Sequence, residues 1–197
     1  SWKGITSYTA ADSVMTVYGD IIVFYCSNNR AKLTAIDLSH HTQLTELYCN
    51  NNTLTSLDLS KNTQLTELYC YRNQLSSLDI SKNTQLGWLY CYGNNFTTAA
   101  LDDIYCALPD RKDSINGVIQ PVDNSSSTYN DTVIASNAAN ATAKNWKVQY
   151  YSNDADIATT GSYVCGTPHT KPNMDRYITL TVAKDSAIKL NFKAAAA

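Results

Sequence analysis

The sequence predicts an α/β fold in which a right-handed solenoid stacks its strands into one parallel β-sheet. The phrase QLTELYC occurs at residues 43–49 and again at 64–70, and QLGWLYC follows at 85–91, so the unit repeats every 21 residues. Ser, Thr and Asn are dense between the apolar positions, which disfavours a helical bundle. A single coil of this length cannot bury its own Leu side chains, and successive coils must therefore stack and share one core.

Each coil fits the template L-x-x-L-x-C-x-x-N-x-L. The template residues of the three clearest coils are Leu44, Leu47, Cys49, Asn52, Leu54; Leu65, Leu68, Cys70, Asn73, Leu75; and Leu86, Leu89, Cys91, Asn94, Phe96. An earlier copy has the same residue types or close equivalents at Ile21, Phe24, Cys26 and Asn29. We expect the Asn column to pair backbone groups at the bend after each strand, since these groups would otherwise be buried without partners.

A second half-copy of the pattern lies within each coil. Its members are Leu54, Leu57, Leu59, Asn62; Leu75, Leu78, Ile80, Asn83; and Leu33, Ile36, Leu38 with His41 in the Asn position. The alternation of apolar and polar residues predicts that this half-copy forms a second strand.

This template, with a period between 20 and 29 residues, resembles the leucine-rich-repeat signature. The short nested unit, whose second half reads LTSLDLSKNTQ, is similar to the repeats of internalin-like bacterial surface proteins. The motifs cover residues 21–96, about two-fifths of the chain. The resemblance implies a leucine-rich-repeat solenoid on an exported, surface-displayed protein that is not an enzyme and acts in adhesion or protein recognition.

Breaks in the pattern predict four regions. We expect a β cap at residues 1–20, because the end coil of a stack must be covered, and the repeats at 21–96. Residues 97–153 are predicted to extend the solenoid with longer α/β units. Residues 154–197 contain a β-hairpin pattern, which either pads the extension or begins a further β module that is cut short.

Within the extension, TTAALDDIYCALPD predicts a helix that begins after Thr97 or Thr98 and ends near Pro109. GVIQPV at residues 117–122 predicts a strand. A weaker helical pattern covers 131–144, and WKVQYY at 146–151 predicts the last strand.

The predicted outward positions of the first half-copy carry aromatic side chains. The candidate ligand-binding residues are Tyr25, Tyr48, Tyr69, Tyr71, Trp88, Tyr90 and Tyr92, with Glu46 and Glu67 as a polar rim. Stacked tyrosines could simply stabilise the sheet. Stacking alone, however, would serve the second predicted strand equally well, and that strand presents only small polar residues such as Asp58 and Asp79. The asymmetry favours a binding surface, since Tyr and Trp dominate interface hot spots.

The cysteines fall into two groups. Four occupy inward positions of successive coils, Cys26, Cys49, Cys70 and Cys91. Neighbouring coils lie about 4.8 Å apart with parallel side chains, whereas disulfide Cβ atoms converge to about 3.8 Å, so these four are expected to be free and buried. The sequence leaves open whether Cys106 and Cys165 are paired.

No cofactor, metal site or catalytic site is predicted. The C-x₃-H at 165–169 lacks further ligands, His40-His41 lies in a turn, and Asp154-Ala-Asp156 is too short for an EF-hand. Only Glu46 and Glu67 represent Glu, and no nucleophile has a nearby His.

The composition and net charge limit the classes of partner that we expect. A net charge of −2 gives no reason to expect nucleic acid, and no apolar run approaches the length of about 20 residues that spans a membrane. No signal segment opens the chain, and we expect an extracellular or cell-surface location. The expected partner is an unidentified protein ligand on a host or neighbouring cell. Carbohydrate binding and a passive spacer role within a larger surface protein are the alternatives.

Overall fold

The computed structural model describes residues 19–29, 33–123 and 130–169. The chain divides into two compact units, Ser1–Thr167 and Pro168–Ala197, and almost all described residues belong to the first. The predicted N-terminal cap, apart from residues 19 and 20, and the predicted C-terminal hairpin lie outside the described residues.

Six strands in the described part of the chain form one sheet with strand order β1 to β6, and every neighbouring pair is parallel. The strands are β1 Val23–Tyr25, β2 Glu46–Tyr48, β3 Glu67–Tyr69, β4 Trp88–Tyr90, β5 Gly117–Val122 and β6 Trp146–Tyr150. Each repeat contributes one short strand in unbroken register, with Leu47, Leu68 and Leu89 as Cα partners. The predicted solenoid with a parallel sheet is confirmed.

The core consists of columns of equivalent residues. Leu47, Leu68 and Leu89 are fully buried. Cys49, Cys70 and Cys91 are fully buried as well, while Cys26 in the first coil is half-buried. All four thiols are free, as the spacing of the coils predicts.

The Asn column satisfies the backbone at the bends. Asn73 Nδ2 donates to the carbonyl oxygens of Cys49 and Cys70, at 3.0 Å each, and Asn73 Oδ1 accepts from the N–H of Leu54 at 3.0 Å. Asn94 makes the same three contacts one coil further along. One side chain thus links two coils at groups that have no partner in the sheet, which confirms the expected role of these residues.

The second half-copy does not form the predicted strand. Asp58 Oδ1 accepts from the N–H of Ser60 at 2.9 Å, and Asp79 accepts from Ser81 at the same distance. Such local hydrogen bonds offer the backbone an alternative to strand pairing. They also hold the pKa of both carboxyl groups below its usual value. The sheet therefore has one strand per coil, and the two half-copies are not structural equivalents.

Three of the four predicted elements in the extension, the first helix and the two strands, are found close to their expected bounds. Helix α1 spans Thr98–Ala107, with Thr97 as its N-cap accepting from the N–H of Ala100. The weaker pattern at 131–144 forms two short helices, α2 Asn130–Ile134 and α3 Ala139–Thr142. Between them the Ser136 side chain bonds the Val133 carbonyl, and the Asn137 N–H donates to Asp102 Oδ1 at 2.7 Å. These side-chain contacts interrupt the single helix that periodicity suggested.

Residues 155–165 form a return segment that hydrogen-bonds to the last strand of the sheet and to α2. Ile157 N–H donates to the Val148 carbonyl of β6 at 2.9 Å, and Thr160 N–H donates to Ile134 at 2.7 Å. The segment ends in a disulfide between Cys165 and Cys106 of α1, which settles the pairing that the sequence left open.

The return segment packs too closely for any side chain at Gly161. A Cβ there would lie 2.4 Å from the carbonyl oxygen of Ala135, and only Gly fits such an approach.

Lys144 caps the C-terminus of α1, although it is distant in sequence. Its Nζ donates to the carbonyls of Tyr105, Cys106 and Leu108. A cation at this position also complements the helix dipole.

Candidate binding surface on the outward strand face

The third residues of β1 to β4 form a stack that we call the tyrosine column, made of Tyr25, Tyr48, Tyr69 and Tyr90. Successive ring centroids lie 4.3, 4.5 and 4.4 Å apart, with interplanar angles of 11°, 21° and 22°. The in-register parallel strands impose this geometry, because equivalent side chains repeat once per strand spacing.

Stacking determines which part of each ring can meet a ligand. The faces of Tyr48 and Tyr69 are covered by their neighbours on both sides, so the ring edges and hydroxyl groups are what the column offers to solvent. Tyr25 is 50% exposed, whereas Tyr48, Tyr69 and Tyr90 are half-buried. Each stacked pair contributes about 0.5–1.5 kcal/mol beyond its buried area. The column therefore stabilises the sheet.

A second stack runs beside the column and crosses from the repeats into the extension. Tyr71 and Tyr92 have centroids 4.5 Å apart, and Tyr151 covers Tyr92 at 4.4 Å. Tyr92 is only 2% exposed. The prediction that Tyr92 presents an accessible ring is therefore wrong: Tyr151, 44% exposed, takes the outer position. Sequence reasoning missed Tyr151, although it ends the last predicted strand much as Tyr71 and Tyr92 follow theirs.

Arg72 lies against this second stack. Its guanidinium carbon is 5.8 Å from the Tyr92 ring centroid, and its NH2 group is 3.6 Å from an Asp123 carboxylate oxygen. Arg72 also has a positive φ of 52° at the bend where Asn28, Asn51 and Gly93 occupy the same left-handed conformation. Asn and Gly tolerate this conformation better than Arg does, so the contacts to Tyr92 and Asp123 offset a local backbone cost.

The two glutamates meet at one phenol. Tyr48 Oη is 3.0 Å from Glu46 Oε2 and 3.0 Å from Glu67 Oε2. Burial raises the pKa of Tyr48, and the hydrogen bonds to both carboxylates raise it further. Burial likewise raises the pKa of Tyr69, with additional contributions from Tyr90 and Glu67. These phenols therefore remain protonated at neutral pH and act as hydrogen-bond donors.

Trp88 continues the glutamate row, since its Cα pairs in register with that of Glu67. The indole is 37% exposed. The ring stacks recorded within the described residues do not include Trp88. It is thus a partly exposed indole one strand from Glu67 and two strands from Glu46, beside a column of covered rings.

The sheet thus carries most of the predicted site residues on one face. The strands hold Tyr25, Tyr48, Tyr69, Tyr90, Glu46, Glu67 and Trp88, and Tyr71 lies two residues after the end of β3. Tyr92 is covered by Tyr71 and Tyr151 and offers a ligand almost no surface.

Other chemistry in the described region is limited. Burial raises the pKa of the Cys26 and Cys91 thiols to about 12 and that of Cys49 and Cys70 well above its usual value, which makes them poor nucleophiles. Among residues 19–29, 33–123 and 130–169, no three His, Cys, Asp or Glu side chains come together as metal ligands. No helix within these ranges has the length and apolar character to cross a membrane.

Comparison with known proteins gives two findings. Residues 42–87 match the family model described as Leucine Rich repeats (2 copies), which confirms the repeat type predicted from the motif. No curated protein matches the chain. Among solved structures, the functional domain of InlJ from Listeria monocytogenes, which includes a cysteine ladder, is 21% identical, with a TM-score of 0.39. The match covers 67% of this chain but only 29% of that one, so this chain spans less than a third of its length.

Proposed function

We propose that this chain is a non-enzymatic recognition module of an exported, surface-displayed protein, and that it binds a protein ligand through the outward strand face. The observation that carries the proposal is the concentration of exposed aromatic surface there: Trp88, Tyr25 and Tyr151 are each more than a third exposed. These three side chains lie on β1, on β4 and just after β6, along the length of the sheet. Exposed Trp and Tyr with a polar rim are typical of interface hot spots.

A protein ligand fits this surface better than a sugar does. Sugar rings stack on open aromatic faces, and the interior rings of the tyrosine column have none to offer, since each face lies within 4.5 Å of the next ring. Ring edges, phenol hydroxyls and carboxylates instead suit the side chains and backbone of a polypeptide.

The comparison between the two half-copies supports binding less strongly than the sequence suggested. The second half-copy forms no strand, so its lack of aromatics is no longer a contrast between equivalent strands. The support that remains is direct: large aromatic side chains are exposed on one face, and Asp37, Asp58 and Asp79 instead cap local turns.

Export is favoured by the Cys106–Cys165 disulfide, because such bonds persist in oxidising compartments. The free thiols of Cys49, Cys70 and Cys91 are compatible with an oxidising compartment, because they are fully buried and cannot take part in disulfide exchange there. We further propose that the C-terminal extension that completes the sheet runs from residue 97 past the expected bound of 153 to residue 167, because the return segment bonds to β6 and α1, and that the separate region begins at residue 168. Adhesion to a host or neighbouring cell is the role we infer for the surface.

The test uses the full chain, a panel of purified extracellular proteins and a glycan array. Trp88→Ala combined with Tyr25→Ala removes exposed aromatic area; it uncovers one face of Tyr48 but keeps the stack from Tyr48 to Tyr90. Asp58→Asn with Asp79→Asn is the control on the other half-copy. We expect one or more proteins of the panel to bind, with affinity lowered by about 2 kcal/mol or more in the aromatic variant and unchanged in the control.

Binding to glycans alone would establish the carbohydrate alternative. Attachment of cells displaying the protein should also depend on Trp88 and Tyr25. If neither attachment nor binding changes in the aromatic variant, the face is a passive part of a spacer.

A further inference from the structure

We propose that the ligand segment recognised by this face is basic, and that a Lys or Arg side chain of the partner lies against Glu46, Glu67 and Trp88. This inference rests on the proposed function, because it specifies the chemistry of the partner at that same surface. It is carried by the hydrogen-bonding balance of the glutamate row, by the charges around it and by the partly exposed indole beside it.

The glutamate row has more acceptors than donors. An ionised carboxylate only accepts hydrogen bonds, and a phenol has one proton to donate. Tyr48 Oη lies 3.0 Å from an oxygen of each carboxylate. Its single proton can satisfy only one of them well at a time. The two Oε2 atoms are at most about 6 Å apart, since 3.0 Å plus 3.0 Å bounds the distance through the shared phenol. A partner group that only donates, such as guanidinium or ammonium, supplies what this row lacks.

Neither carboxylate of the row has an ion-pair partner among the described residues, although one guanidinium lies near the Trp88 end. Arg111 packs against Gly87 and donates to the carbonyls of Leu86 and Ile115 at 3.0 Å, so these donors are used by the backbone. Ion pairs recorded among the described residues are Arg72–Asp123 and Lys112–Asp110, and neither involves Glu46 or Glu67. Along the same register the row continues from Trp88 to Val118 of β5 and only then to Lys147 of β6. That lysine is thus three strands beyond Glu67, at a strand spacing of about 4.8 Å. Asp154 accepts a hydrogen bond from Gln120, the register partner of Tyr90, at 2.8 Å and adds another negative charge near the column. An approaching cation therefore meets complementary charge.

Trp88 gives the cation a second contact. The aliphatic stem of Arg or Lys packs well on aromatic surface, and its charged end is attracted to an indole face. The tyrosine column cannot supply such faces because its interior rings cover one another. Trp88 is the partner of Glu67 in the sheet register and is 37% exposed. One basic side chain can therefore contact the indole and a carboxylate together.

The experiment selects a phage-displayed library of random linear peptides against the wild-type chain. The enriched peptides are synthesised, and their dissociation constants are measured for wild type, Glu46→Gln with Glu67→Gln, and Trp88→Ala. Asp58→Asn with Asp79→Asn is the matched control, since it changes the net charge by the same amount on the other half-copy. Circular dichroism and thermal unfolding show that each variant is folded.

We expect the enriched peptides to share a Lys or Arg position. Binding should weaken about tenfold or more in the Glu variant and in Trp88→Ala, stay within about twofold in the control, and fall as salt rises. Replacing the shared Arg or Lys by Gln should remove the difference between wild type and the Glu variant.

The inference would be overturned by enriched peptides that need Trp88 for binding but share no basic position. It would also be overturned if the peptides bound the Glu variant as tightly as wild type. In either case the proposed function would still stand. If no enriched peptide depends on Trp88, the proposed function fails at this surface, and the inference fails with it.

Discussion

The repeats at residues 21–96 and the segment at 97–169 build one sheet by different means. In the repeats each coil of β2 to β4 adds the same contacts: a buried Leu, a buried Cys and an Asn that joins two coils. In the later segment each contact occurs once, as with the Lys144 cap on α1, the Cys106–Cys165 disulfide and the close packing of Gly161. The register is also regular across β1 to β4 but shifts between β5 and β6.

The difference indicates which interactions stabilise each region. A repeat is stable because its neighbours are built alike, so its energy is a sum of similar interfaces. The later segment has no such redundancy and depends on individual long-range contacts. A mutation in a repeat should therefore lower the stability of the stacked coils, whereas a mutation in the later segment should cause that segment to unfold locally. The following four experiments test this contrast, in order of decreasing expected effect.

The largest effect is expected from Asn73→Ala. The change leaves the carbonyls of Cys49 and Cys70 and the N–H of Leu54 without their partner. Buried groups left unsatisfied cost about 1–3 kcal/mol each, so the free energy of unfolding should fall by about 3 kcal/mol or more. Urea unfolding measures the loss. The matched control is Asn95→Ala, an exposed Asn whose change should cost less than about 0.5 kcal/mol. Equal losses in the two variants would show that the Asn column does not connect the coils.

Removing the disulfide should affect mainly the later segment. Cys106→Ala with Cys165→Ala opens a loop with a sequence separation of 59 residues, and we expect a loss of about 2–4 kcal/mol. Hydrogen exchange should accelerate in α2, α3 and the return segment while β2 and β3 keep their protection. Reductant added to the wild type should reproduce this pattern. Uniform acceleration across both regions would contradict the contrast between them.

Tyr69→Ala should destabilise the repeats more than Trp88→Ala does. Tyr69 has stacked neighbours at 4.5 and 4.4 Å, so its removal loses two ring contacts, at a cost of about 1–3 kcal/mol. Trp88 is exposed and belongs to neither stack, so its loss should cost less than about 1 kcal/mol. Tyr69→Phe keeps the stack and should stay near wild type in thermal unfolding. A larger loss in Trp88→Ala would mean that the indole, and not the column, stabilises this face.

The smallest effect is a difference in alkaline stability between wild type and Cys91→Ala. Burial raises the pKa of Cys91 from 9.0 to about 12. The unfolded chain loses this proton near pH 9 while the folded chain keeps it, so the stability from this thiol is complete below pH 9 and declines as pH rises toward 12. The decline is about 1.4 kcal/mol per pH unit for one thiol. Unfolding free energies measured between about pH 8 and 11 should fall more steeply in wild type than in Cys91→Ala. Parallel curves would indicate that Cys91 titrates normally and is not sealed in the core.

The sequence alone specified the repeated part of this protein, residues 21–96. A fixed period of 21 residues places equivalent residues in register, so the inward Leu and Cys columns, the bridging Asn and the outward tyrosines could all be assigned from one coil. The face of the candidate site followed for the same reason, since side chains alternate along a strand. These features depend on short-range periodicity, which a sequence displays directly.

Only the tertiary structure decided the rest, because it depends on how non-repeated segments meet. Tyr92 is buried by Tyr151, which directly follows β6, and nothing in the repeat specifies that contact. The pairing of Cys106 with Cys165 likewise requires the return segment to reach α1. The second half-copy has the periodicity of a strand, yet local hydrogen bonds from Asp58 and Asp79 hold it in turns. Periodicity fixes which residues share a column, whereas hydrogen bonding and long-range packing fix what covers that column.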